Sequence, residues 1–103
     1  MTKIHMDWKR LELTAEGHAN AGNYGEDIVC AGISAIITAL GQYMLRYEKT
    51  MRPELTLRSG VSRIRARPAR GWEERAREAF RQAVDGLELM AESYADHVSI
   101  KEE

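Results

Sequence analysis

Cys30 is the only cysteine in the chain, and His18 precedes it by twelve positions across the stretch GHANAGNYG, residues 17–25. An imidazole that reaches a thiol can take its proton, and the thiolate so formed is a strong nucleophile. The same imidazole can later return a proton to a leaving amine. With three glycines and two asparagines in nine residues, the connection is too polar and too permissive for a regular element. It reads as a loop able to fold His18 back onto the cysteine.

Asp27 stands where a helix would begin. Its carboxylate can accept the free backbone N–H groups of a first turn, which makes Cys30 the third helical residue. The positive end of the helix dipole favours a thiolate there, and the helix-start amides can hold the oxyanion of an acyl-transfer step. Ser34, one turn beyond Cys30 on the same face, is placed for a hydrogen bond near the thiol. A plainer reading stands beside this one. Free cysteines are among the most buried residue types, and a small apolar side chain in a buried helix needs no chemistry. On composition and spacing alone, packing outweighs catalysis.

The helix that must carry Cys30 is IVCAGISAIITALGQYML, residues 28–45, without a charged side chain. Its length touches the lower limit for a membrane span. Gly32, Ser34, Thr38, Gly41 and Gln42 dilute its apolarity, however, so insertion would gain little free energy. It reads instead as a buried central helix, covered on one side by a sheet and on the other by a second helix or a partner subunit.

Short strands surround it. Ile4, Met6 and Trp8 alternate with polar residues, and Leu11, Leu13 and Ala15 do the same, which predicts two adjacent strands with a bend between Asp7 and Arg10. Arg52-Pro53 is a break, ELTLRS and VSRIRAR flank Gly60 as a hairpin, and Pro68 and Gly71 end it. From Trp72 to about Ala95 the period becomes helical, with Ala76, Phe80, Ala83, Val84, Leu87, Ala91 and Tyr94 on one face. Gly86 costs that helix about 1 kcal/mol relative to alanine and suggests a close approach. HVSIK reads as a last strand. The expected class is α+β in the order β-β-α-β-β-α-β, a mostly antiparallel small sheet with two helices, one of them central and buried.

At 103 residues the chain fits one domain. Fifteen Lys and Arg against sixteen Asp and Glu leave a net charge of -1, so no global attraction to nucleic acid or to an anionic membrane is expected. One cysteine makes no internal disulfide, and the charged start MTKIHMDWKR lacks a signal peptide's apolar run, which points to a reducing cytoplasm. Arg63, Arg65 and Arg67 share one face of a strand, with Arg70, Arg75, Arg77 and Arg81 beyond. They could track a phosphate backbone, but Glu73, Glu74 and Glu78 interleave with the later ones and favour a solvated surface. His5 and His97 with His18 and Cys30 lack the close pairing of a zinc site, so no metal and no cofactor is expected. Trp8, Trp72, Tyr94 and Phe80 fall on apolar faces and read as core.

The string G-H-A, a glycine-rich loop, then G-E-D-I-V-C-A-G-I-S-A resembles the signature of the ribosomal-processing cysteine protease (Prp) family. The resemblance is strong over residues 17–35. Outside them the order of elements agrees, and G-L-E-L-M-A-E-S-Y (residues 86–94) looks like the family's second helix. It implies one cysteine-protease-like domain over residues 1–103, in which His18 and Cys30 form a catalytic dyad and Asp27 and Ser34 occupy further motif positions. A homodimer is implied too, with a mobile loop at residues 19–26 whose Gly22, Asn23, Tyr24 and Gly25 meet the substrate. The implied reaction removes the short N-terminal extension from the precursor of large-subunit ribosomal protein twenty-seven, cutting after paired aromatic residues, which calls for an apolar groove near the dyad. The alternative is a non-catalytic ribosome- or RNA-associated module that uses the arginine face.

Overall fold

The computed structural model describes residues 1–19, 21–22 and 27–103. The alternation near the start forms a hairpin: β1 (Thr2–Asp7) pairs antiparallel with β2 (Glu12–Glu16), setting Ile4 opposite Ala15 and Met6 opposite Leu13. Trp8 lies in the bend rather than in the strand. No glycine is needed there, because Asp7 Oδ1 accepts the Arg10 N–H at 3.1 Å and Leu11 takes the left-handed conformation at φ 48°. Leu11 is itself buried, and core packing offsets its backbone strain.

α1 (Ile28–Arg46) follows the loop, and its buried residues Val29, Ile33, Ile37, Leu40, Gly41 and Met44 form a single stripe. Its cover is one-sided. α1 and α3 (Glu73–Ser93) pack against each other and share one core with the inward residues of the sheet, Ile4, Met6, Leu13, Ile64 and Val98. On the opposite side of α1, Ile28 is 69% exposed and Ala31, Ser34, Ala35, Thr38, Ala39, Gln42 and Leu45 are exposed as well.

A one-turn helix absent from the expected order, α2 (Glu48–Met51), comes next and buries Met51 completely. Four residues are too few to display a helical period. The expected break at Arg52-Pro53 follows directly, with Arg52 in the left-handed region and its guanidinium donating to the carbonyls of Arg67 and Pro68.

β3 (Glu54–Arg58) and β4 (Val61–Arg65) form the expected hairpin through Gly60, whose φ is 76°. β4 also pairs antiparallel with β2, and with the C-terminal strand β5 (Val98–Glu102) the strand order is β3-β4-β2-β1-β5. In α3, Ala76, Phe80, Ala83, Val84 and Leu87 are buried as their spacing requires, while Ala91 and the C-cap residue Tyr94 just beyond the helix are half-buried. Gly86 permits the close approach expected of it, since a Cβ there would lie 3.2 Å from Ile36 Cδ1 of α1. Trp8 and Trp72 sit at the edge of the core rather than in it, half-buried and each covered by an arginine: Arg81 stacks 4.3 Å from the Trp8 ring and Arg75 4.4 Å from that of Trp72.

The last strand, β5 (Val98–Glu102), pairs with β1 in parallel, so the mostly antiparallel sheet is mixed. The geometry forces this. β1 and β4 both run antiparallel to β2, and a chain that leaves β4 through a helix returns in the direction of β4.

Candidate active site

Asp27 is the helix cap that the sequence suggested. Its Oδ1 accepts the N–H groups of Val29 (3.0 Å) and Cys30 (2.9 Å), and Cys30 is the third residue of α1. Its Oδ2 accepts the Ala21 N–H at 3.0 Å, so one carboxylate ties the loop to the helix start. The Cys30 N–H bond does most to hold this carboxyl below its ordinary 3.8; desolvation opposes that, and the Ala21 and Val29 amides and the Cys30 side chain add to it. A depressed carboxyl contributes stability above its unfolded value and loses it as pH falls through the folded one. The advantage of the wild type over Asp27→Asn is therefore expected to be full at pH 6 and to shrink as pH falls below about 4, as followed by urea unfolding. An asparagine has a single acceptor oxygen and holds either the helix or Ala21. Cleavage by Asp27→Asn is expected to fall between that of the wild type and that of Asp27→Ala, with Asp27→Ala down roughly tenfold from misplacement of the loop.

This cap also corrects one expectation. The amides of Val29 and Cys30 are spent on Asp27, and Ala31 donates to the Asp27 carbonyl at 3.1 Å. They are not free for an oxyanion. The backbone donor aimed at the sulfur comes from the loop instead, with Ala19 N–H 3.4 Å from Cys30 Sγ.

His18 is exposed, and its ring lies over Gly60: a Cβ on that glycine would be 3.0 Å from His18 Nε2. The strand-end bond from Gly17 N–H to the Gly60 carbonyl, 2.9 Å, docks the segment before His18 onto the β3–β4 turn. His18 and Cys30 line one cleft of about 770 Å³, bounded by α1 on one side and the β3–β4 hairpin on the other. No hydrogen bond joins the two side chains among the described residues. Ser34 and Gly22 also face this cleft, Ser34 without a bond to the thiol. Asn23, Tyr24 and Gly25, expected to meet the substrate, lie outside the described residues, as does most of the loop expected to be mobile.

The walls of the cleft were invisible in the sequence. Ile33 and Ile37 of α1 face Leu57 and Val61 of the hairpin, with Arg58, Ser59 and Ser62 at the polar margin. The hairpin itself was legible, but its place beside α1 depends on β4 pairing with β2. His97, weighed in the sequence as a zinc ligand, has its Nδ1 2.8 Å from the carbonyl oxygen of Ala19, the residue whose N–H meets Cys30 Sγ.

Two arginines of the strand face, Arg63 and Arg67, are paired from within, whereas Arg65 is in no ion pair among the described residues. Arg63 Nε lies 2.6 Å from Glu12 and its Nη2 3.3 Å from Glu54, while Arg67 lies 2.9 Å from Glu54. The Glu12 hydrogen bond leads in raising the Arg63 guanidinium's proton affinity. These two arginines are matched to carboxylates rather than presented as a phosphate track.

The profile of the family described as cysteine protease Prp matches residues 1–99. The chain belongs to the Prp family of cysteine proteases. The fold agrees with solved structures of an essential ribosomal processing protease Prp from S. aureus. The complex with a covalently linked product peptide gives a TM-score of 0.84 at 23% identity, and that with a substrate peptide 0.78 at 21%, each covering 100% of both chains. A protein from Streptococcus mutans matches with a TM-score of 0.69 at 21% identity, covering 98% of this chain and 90% of its own. No curated protein matches the sequence.

Proposed function

We propose that this Prp protease is an endopeptidase that removes the short N-terminal extension of the precursor of large-subunit ribosomal protein twenty-seven through a Cys30–His18 dyad. The observation that carries this reading is the shared cleft, in which the sole cysteine and the loop histidine face an apolar wall of Ile33, Ile37, Leu57 and Val61. Such a wall suits aromatic side chains before the cut. The S. aureus protease, whose name contains ribosomal processing and whose structures hold substrate and product peptides, supports the substrate class.

In this mechanism His18 takes the thiol proton and the Cys30 sulfur attacks the scissile carbonyl carbon, forming a C–S bond. His18 then gives its proton to the departing amine as the C–N bond breaks. A water, deprotonated by His18, attacks the resulting thioester, which releases the carboxylate product and restores the thiol. These steps call for no cofactor.

The enzyme acts in the cytoplasm, where a lone thiol stays reduced, and as a homodimer. The charge-free outer side of α1, with Ile28 and Leu45 exposed, supports a second copy as its cover. Sedimentation is expected to give twice the 11.7 kDa chain mass. The activity is tested by mass spectrometry of a peptide carrying the extended ribosomal-protein N-terminus. One cut after the aromatic pair is expected with the wild type and none with Cys30→Ala; an intact peptide after incubation with the wild type would overturn this substrate.

A further inference from the structure

We propose that His97 is a positioning residue for the cysteine chemistry, holding Ala19 so that its N–H points at the Cys30 sulfur; this rests on the reading of Cys30 as the nucleophile. His97 lies between α3 and β5, and its own backbone is pinned twice. Its N–H donates to the Tyr94 carbonyl at 2.8 Å, and its carbonyl accepts the Thr2 N–H at 2.9 Å. From that fixed base Nδ1 reaches the Ala19 carbonyl oxygen at 2.8 Å. A carbonyl only accepts, so Nδ1 carries the proton.

Ala19 is buried, 1% exposed, and both of its polar groups are engaged. Its N–H donates to Cys30 Sγ, while its carbonyl receives His97. Neither bond is local, since His97 and Cys30 lie 78 and 11 residues away in sequence. The segment has little stiffness of its own, because Gly17 precedes it in the left-handed region at φ 92°. Without the His97 donor, the buried Ala19 carbonyl is left unpaired or must turn toward water. Either outcome draws the Ala19 N–H from the sulfur, and His18, the preceding residue, moves with it. The lost contact matters most when the sulfur is anionic, because an N–H donor to a charged acceptor is much the stronger bond. His97 thus acts through Ala19 without touching the substrate.

The test uses iodoacetamide as the probe of Cys30 at pH 7, on the full chain. His97→Phe keeps a ring of similar size without the donor, and His97→Asn supplies an amide donor near the position of Nδ1. Alkylation of His97→Phe is expected to slow roughly tenfold, and His97→Asn to recover most of the wild-type rate. A wild-type rate in His97→Phe overturns the proposal, as does a His97→Asn protein that is as slow as His97→Phe. Nitrogen-15 NMR of the unaltered protein supplies a check that needs no variant: the neutral His97 ring is expected to be protonated on Nδ1, and protonation on Nε2 alone refutes the assignment. Iodoacetamide requires no substrate, so the two readings separate. If the wild type cuts no peptide while the alkylation series holds, the proposed substrate falls and His97 keeps its role. If wild-type Cys30 reacts no faster than a free peptide thiol, the positioning role falls.

Discussion

Cys30→Ala is expected to lower kcat/KM for peptide cleavage by at least about 10⁴-fold while leaving the melting temperature near that of the wild type. The two halves of this result have separate causes. No other cysteine exists in the chain to take over the attack. Structurally the thiol does little: it is half-buried, it takes a 3.4 Å contact from the Ala19 N–H and adds only the smallest part to holding the Asp27 carboxyl, and alanine suits a helix better than cysteine does. His18→Ala is expected to behave alike, because the exposed imidazole makes no hydrogen bond among the described residues and its loss costs the fold little. Groups that act as one unit are not additive, so the double variant should be no slower than the worse single one. A double variant slower by the product of the two effects would mean that His18 and Cys30 act independently, and the dyad would have to be given up.

The second large effect is expected at a residue with no chemistry. Gly17 has φ 92°, and a Cβ there would lie 2.4 Å from the Met1 carbonyl oxygen, a backbone atom that cannot rotate away. Gly17→Ala must therefore move either the start of β1 or the segment that carries His18. Left-handed strain and this clash together are expected to cost on the order of 2–4 kcal/mol, read by urea unfolding, and the cleavage rate of the molecules still folded should fall as well. Gly71→Ala is the control. Gly71 has the same φ of 92° but no atom within 4 Å of an added Cβ, so it should show the backbone cost alone and unchanged cleavage. Equal losses at the two glycines would mean that the Met1 contact relaxes freely.

The sequence alone determined the features whose causes are local. Alternation marked β1 and β2, the 3.6-residue period marked α3 and its buried face, and Gly60 marked the hairpin turn, because each pattern is set by residues a few positions apart. Asp27 as the cap and Cys30 as the third helical residue were legible for the same reason, and the G-H-A and D-I-V-C-A-G strings pointed to the family that the profile match established. The tertiary structure decided whatever depends on meetings between distant segments. The parallel pairing of β5 with β1 follows from where the α3 crossover lands, and the one-sided cover of α1 from both long helices packing on one sheet face. The walls of the cleft come from β4 pairing with β2, which swings Leu57 and Val61 opposite Ile33 and Ile37. Asp27 was visible as a cap, but only the folded chain shows that capping spends the amides expected to hold an oxyanion. It also shows His97 arriving from the far end of the chain to hold Ala19. A hydrogen bond across 78 residues leaves no periodicity or spacing to read, because folding alone sets that distance.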